Sequence, residues 1–233
     1  MKHIALTLVL VTPALSADTL GDLRQALERF PAKAPFAASA RVQGNAAAQE
    51  DAGRAGEGAF EIESGPGGFT IHISPKTLQA ANREAAAKKV DPNSATPTRT
   101  AMVALTVFDI MDAVDAASML RDDLSDGTLL EEKSGMLRLK VKPSLATKSR
   151  FVSEPKIELS IWLGKDGIPT AAQRTSNYSA GVAFVKGENT RKERWEFAAQ
   201  GDRLYATRSD EDNEASAAGK QIKSSRTVWY TRK

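Results

Sequence analysis

The sequence predicts an α+β protein in which a long antiparallel sheet is combined with a few helices gathered in its N-terminal half. Two observations carry this reading. Apolar residues recur at spacings of three and four in residues 18–30, 75–90 and 98–124, but alternate with polar residues nearly everywhere else. After Gly127 the alternating segments follow one another through short turn sequences with no helix between them, which favours an antiparallel meander over a parallel α/β sheet.

Before this pattern begins, Met1-Lys2-His3 supplies a basic start, Ile4 to Val11 an apolar core interrupted by Thr7, and Ala14-Leu15-Ser16-Ala17 the small residues that a signal peptidase reads. The apolar run is far shorter than the ~20 residues of a membrane-spanning helix. We expect residues 1–17 to be a signal peptide and residues 18–233 to form one exported, soluble domain. The chain has 233 residues, enough to bury a core without metals or disulfides. It contains no cysteine, which excludes disulfides, thiol catalysis, cysteine metal sites and a lipid-modified cysteine at the cleavage site. Loss of Lys2 takes the formal net charge of +3 to about +2, with both signs scattered along the chain, so no nucleic-acid partner is expected.

The mature chain opens with an amphipathic helix carrying Leu20, Leu23, Leu27 and Phe30, ended by Pro31 and Pro35. Phe36, Ala38, Ala40 and Val42 then alternate with polar or small residues as a first strand. A loose connection from Gly44 to Gly58 leads to a hairpin, with Phe60 and Ile62 on one arm, Phe69, Ile71 and Ile73 on the other, and Gly65-Pro66-Gly67-Gly68 as its turn. Pro75 to Val90 reads as a surface helix with proline in its first turn. Thr98 to Leu124 reads as one long helix with a wide apolar stripe that includes Met102, Leu105, Phe108, Met111, Val114, Leu120 and Leu124. Leu137 to Val141 and Ile157 to Leu163 are the clearest strands. Further strands are expected around Val182-Phe184, Trp195-Phe197, Leu204-Ala206 and Val228-Tyr230, with Asp210 to Gly219 as an acidic loop.

Little of the usual chemistry of enzymes is present. His72 is the single histidine beyond the signal and falls on the polar side of a strand, with no G-x-S-x-G elbow to serve a triad. Asp122 to Gly127 resembles a calcium loop only superficially, since Leu124 stands where an oxygen ligand is required and Lys133 where the closing carboxylate belongs. Asp109, Asp112 and Asp115 recur every three residues and read as a solvated helix face, and the acids at Asp210, Asp212 and Glu214 lack the glycine of a tight cation loop. Gly53, Gly56 and Gly58 do not follow a strand and open a helix, so they make no phosphate loop. No catalytic residue, metal site or cofactor is expected.

The helix at Thr19 to Phe30, the pattern F-x-A-x-x-x-V-x-G at Phe36 to Gly44, the pattern G-x-G-x-x-x-x-x-x-x-P-x-x-F at Gly56 to Phe69, and the strand and aspartate-glycine hairpin at Lys156 to Ile168 together resemble the LolA/LolB family of periplasmic lipoprotein carriers and receptors. The sequence departs from the carriers at Gly65, where they place a basic residue before the proline, and at Ile71, where they place an aromatic. The resemblance implies a curved antiparallel sheet forming an unclosed half-barrel covered by helices, with a helical lid at about 75–124. Acyl chains would enter between sheet and lid. Phe60, Ile62, Phe69, Ile71, Leu159, Ile161 and Leu163 would line the sheet side, and Met102, Leu105, Phe108, Met111 and Val114 the lid side. The same residues fit a filled core equally well. The implied function is a soluble periplasmic carrier or binding protein for lipid or acylated protein cargo, in transient contact with membranes. The alternative is a periplasmic interaction or envelope-stress sensor module with a protein partner. The absence of a cysteine to lipidate matches the free carrier and not the anchored receptor.

Cleavage after Ala17 makes Asp18 the first residue of the exported protein. Intact-mass measurement of the secreted chain is expected to return the 18–233 mass, and a secreted chain that retains Lys2 would refute the assignment.

Overall fold

The computed structural model of the chain describes residues 18–45, 55–65, 68–91, 93–103, 105–142, 153, 155–182, 185–217 and 220–233. The expected signal peptide, the Pro66-Gly67 turn and Phe184 lie outside the described residues.

Ten strands form one antiparallel sheet in the order β3-β2-β1-β10-β9-β8-β7-β6-β5-β4. In chain order they are β1 (Phe36–Asn45), β2 (Gly56–Gly65), β3 (Gly68–Ile73), β4 (Thr128–Lys133), β5 (Met136–Val141), β6 (Lys156–Leu163), β7 (Pro169–Val182), β8 (Val185–Gln200), β9 (Arg203–Ala217) and β10 (Lys220–Arg232). Every neighbouring pair is antiparallel. β3 and β4 end the order and are not paired with each other, so the sheet is unclosed. Among the described residues, five helices complete an α+β architecture: α1 (Thr19–Leu27), α2 (Pro75–Lys88), α3 (Pro97–Val103), α4 (Val107–Val114) and α5 (Ala116–Ser125).

Alternation along the strands sends one set of side chains into a single core. Leu137 faces Ile161 and Leu139 faces Leu159 across β5 and β6, and all four are fully buried. Across β1 and β2 the core pairs small with large residues, Ala38 with Ile62 and Ala40 with Phe60, which fills space without overlap. Leu23 and Leu27 of α1, Ile110 and Val114 of α4, and Leu120 and Leu124 of α5 join the same core.

Gly56 and Gly58 serve packing. A Cβ on Gly56 would overlap the Pro97 carbonyl, and one on Gly58 the Met102 side chain, so these glycines let α3 lie directly against β2.

The region from 98 to 124 is not one helix. Thr106 and Asp109 make a capping box that starts α4. Asp115, outside helical geometry at φ −130° and ψ 65°, ends α4 and caps α5 through a bond accepted from the Ser118 amide. The predicted acidic loop at 210–219 is likewise strand as far as Ala217. Its acids face bases on both neighbours, Asp212 opposite Lys192 and Glu214 opposite Lys223, pairings that stabilise a sheet.

Arginines close the helix ends. Arg24 of α1 donates to the Leu124 carbonyl and Arg121 of α5 to the Leu27 carbonyl, so the two helices satisfy each other's last turn. Arg203, 4% exposed, donates to the carbonyls of Val114, Ala32 and Ala34 and lies 5.0 Å from the centre of the Phe36 ring. Beside it the Asp202 carboxylate accepts from the amides of Lys33 and Ala34. Together they pin the linker between α1 and β1 to the β8–β9 turn.

Truncating Leu159, which is wholly buried, is expected to cost about 2–5 kcal/mol in urea unfolding. The same truncation at exposed Leu130 is expected to stay within about 0.5 kcal/mol.

Candidate functional site

The inner face of the sheet is apolar along part of its strands and charged along the rest. Register places Arg174 of β7 opposite Glu193 of β8, Glu193 opposite Glu211 of β9, and Glu211 opposite Arg226 of β10. Two like charges in direct opposition are destabilising unless cations intervene. Here they do. Arg174 grips Glu193 through two bonds of 2.9 and 3.3 Å, and Arg191 reaches both Glu193 at 2.9 Å and Glu211 at 3.3 Å. Arg226 pairs closely with Glu211.

The helices supply two further anions. Asp123 of α5 meets Arg174 at 3.4 Å. Asp109 of α4 accepts from Arg191 at 3.3 Å and from Arg226 at 3.2 Å while it also accepts from the Thr106 amide at 2.8 Å. The structure thus corrects the expectation that Asp109 and Asp112 form a solvated face. They point towards the sheet, where the arginines are. A small cavity at the centre is lined by Asp109, Asp112, Glu193, Trp195, Glu211 and Arg226, among others.

Burial and ion pairing compete across this cluster. Burial raises the Asp109 carboxyl, but Arg226 and the Thr106 bonds outweigh it and hold the group below its ordinary 3.8. For Asp112 burial dominates. It is pushed up to about 6, with only Arg174 among its main neighbours opposing the shift. Burial also raises Asp123 and Glu211 despite their arginine partners. The Tyr230 phenol, 5% exposed on β10, is pushed up to about 12 by burial.

The residues expected to line an apolar cavity separate into three groups. Phe60, Ile62, Val114, Leu159 and Ile161 are buried in the core. Phe69, Ile71, Met102, Leu105 and Leu163 are partly buried and packed against it. Phe108 and Met111 lie elsewhere, 76% and 47% exposed on the outer side of α4. The reason is helical phase: the capping box and Asp115 set α4 so that Ile110, Ala113 and Val114 face inward. Val103 and Val107 are exposed beside them in sequence.

Sequence reasoning missed the charged cluster entirely. The signal was present in Arg191-Lys192-Glu193-Arg194 of one strand and Asp210-Glu211-Asp212 of the next, whose opposite charges come into register when the strands pair. Among the described residues, no group of three or more His, Asp or Glu has the geometry to hold a metal ion. No protein-family model matches the chain, and no curated protein or solved structure shows a significant likeness to it.

Glu193 bonds two arginines and is 6% exposed, so Glu193→Ala leaves two guanidinium groups short of their shared anion. A loss of about 3–5 kcal/mol is expected in chemical unfolding. Arg194→Ala, on the exposed side of the same strand, is expected to change stability by less than about 0.5 kcal/mol.

Proposed function

We propose that this chain is an exported, non-enzymatic carrier or binding protein for apolar cargo, such as the acyl chains of lipoproteins, that works in the periplasm and touches membranes only in passing. In this reading the open sheet is a half-barrel and the helices are its cover. The resemblance to the LolA/LolB family motivates the proposal. The observation that carries it is the two-sided character of α4. Its inward face (Ile110, Ala113, Val114) completes the core, while its outward face presents Phe108 and Met111 to solvent. Neighbouring exposed apolar residues on a soluble protein mark a surface for an apolar partner, and methionine adapts to guests of different shape. An acyl chain would gather on Phe108 and Met111 and take the place of the inward face of α4 in the core. Each buried methylene contributes ~0.8 kcal/mol, so apolar contact alone holds such a cargo.

A second reading rests on a different feature. All six residues of β4 are exposed, with Leu129 and Leu130 among them, and no described strand pairs with its outer edge. Such an edge accepts an extended segment of another protein as an added strand, as the sensor-module alternative requires.

Extraction of the purified protein followed by mass spectrometry is expected to release acyl chains, and the emptied protein to take up a fluorescent fatty acid. Phe108→Ser is expected to weaken uptake by about tenfold or more through lost apolar contact. Absence of both bound acyl chains and uptake would sink the carrier reading, and recovery of a protein crosslinked at Leu130 would favour the second.

A further inference from the structure

Helix α4 is seated on the sheet by charge. Asp109 reaches Arg191 of β8 and Arg226 of β10, so one α4 carboxylate bridges two strands. Asp112 lines the same small cavity less than one turn further on, yet it makes no hydrogen bond or ion pair with any described residue. The groups around it are Arg174 of β7, Arg191 and Glu193 of β8, Asp210 and Glu211 of β9, Arg226 and Tyr230 of β10, Asp123 of α5 and Asp109 of its own helix. In the ion-pair network itself, four carboxylates, Asp109, Asp123, Glu193 and Glu211, already share the three arginines 174, 191 and 226, so Arg174 attracts Asp112 without forming an ion pair with it. The helix that carries it is short, eight residues, and is separated from α5 by the non-helical Asp115.

We propose that α4 is a pH-dependent latch on the inner face of the sheet, seated by Asp109 and pushed off by the unmatched carboxylate of Asp112, so that it closes as the pH falls.

The direction follows from proton linkage. When α4 is seated, burial pushes Asp112 up to about 6, and when α4 lifts the group returns towards its ordinary 3.8. Seating therefore takes up a proton, and the penalty of burying the carboxylate is fully present above pH 6 and disappears as the pH falls towards 3.8. Asp109 has the opposite sign. Its pairing contributes above its ordinary 3.8 and is lost as the pH drops through its lowered value. The latch is tightest between these limits. Asp123 of α5 and Glu211 of β9 are raised by burial as well, but they sit on α5 and the sheet and stay there whether or not α4 is seated.

Hydrogen exchange of the α4 amides tests the latch with no cargo present, so its outcome stands apart from that of the carrier reading. After correction for intrinsic exchange rates, protection of residues 107–114 is expected to be about tenfold higher near pH 5 than near pH 7.5, as a proton taken up at about 6 requires. Asp112→Asn is expected to raise protection near pH 7.5 and remove most of the pH difference, whereas Asp109→Asn is expected to lower protection at both. Equal protection of the wild-type helix at the two pH values would overturn the proposal. So would a pH difference that survives intact in Asp112→Asn, or one that appears equally in the β6 amides and therefore reports the whole sheet.

Discussion

Three arginines that the pleat of the sheet turns inward decide where the rest of the charged structure goes. Arg174, Arg191 and Arg226 fall on the same face as Ala172, Trp195 and Val228, because strand alternation leaves them no other direction. A charge taken out of water costs several kcal/mol unless anions and hydrogen bonds surround it. The sheet supplies two such anions, Glu193 and Glu211, and these cannot suffice for three guanidinium groups. The remainder come from the helices, Asp109 and Asp123, and this requirement draws α4 and α5 to their positions beside β9. Asp109 also explains the broken helical segment, since the same carboxylate that pairs with two arginines closes the capping box at Thr106.

The two parts of the inner face do different physical work. The rows built from Leu137, Leu139, Leu159 and Ile161, and from Ala38, Ala40, Phe60 and Ile62, remove apolar area from water and supply most of the favourable energy. The ionic part contributes less net stability, because desolvation offsets much of its attraction, but it fixes which helix face meets which strand. Backbone proximity does the same for α3, where Gly56 and Gly58 leave room that any side chain would close.

Strict alternation made β1, β2, β3, β5 and β6 legible in the sequence, along with α1 and α2. In each of these a residue's surroundings follow from its own chain neighbours. The site was less legible because its logic lies between strands. Asp210 to Gly219 reads as an acidic loop only while its acids at 210–214 are considered alone. Set beside Arg191, Lys192 and Lys223 they become cross-strand partners. A two-residue period fixes the face of Phe60, Ile62, Leu159 and Ile161, and all four are buried in the core. No such period fixes Phe108 and Met111, which are exposed, because the stripe from Met102 to Leu124 is wide enough to admit several helical phases. The T-x-x-D spacing of Thr106 and Asp109, together with Asp115, was the signal that selects one phase and cuts the segment into three helices.

Helix α4 therefore combines a modest apolar anchor with a strong but conditional ionic one. Burial of Ile110 and Val114 is worth about 3–6 kcal/mol before the entropy of ordering the helix is subtracted. The strands beneath are held by continuous ladders on both sides and by rows of fully buried side chains, features that place them at the high-stability end of the molecule. Adding carboxylates to a buried cluster is an inefficient way to gain stability, and Asp112 adds one that makes no ion pair with any described residue and whose attraction to Arg174 does not offset its burial. An alanine or asparagine there would seat the helix more firmly at neutral pH. A carboxylate instead lowers the free energy of seating and places part of it under the control of a single proton, while the outward Phe108 and Met111 add nothing to the hold of the inward Ile110, Ala113 and Val114.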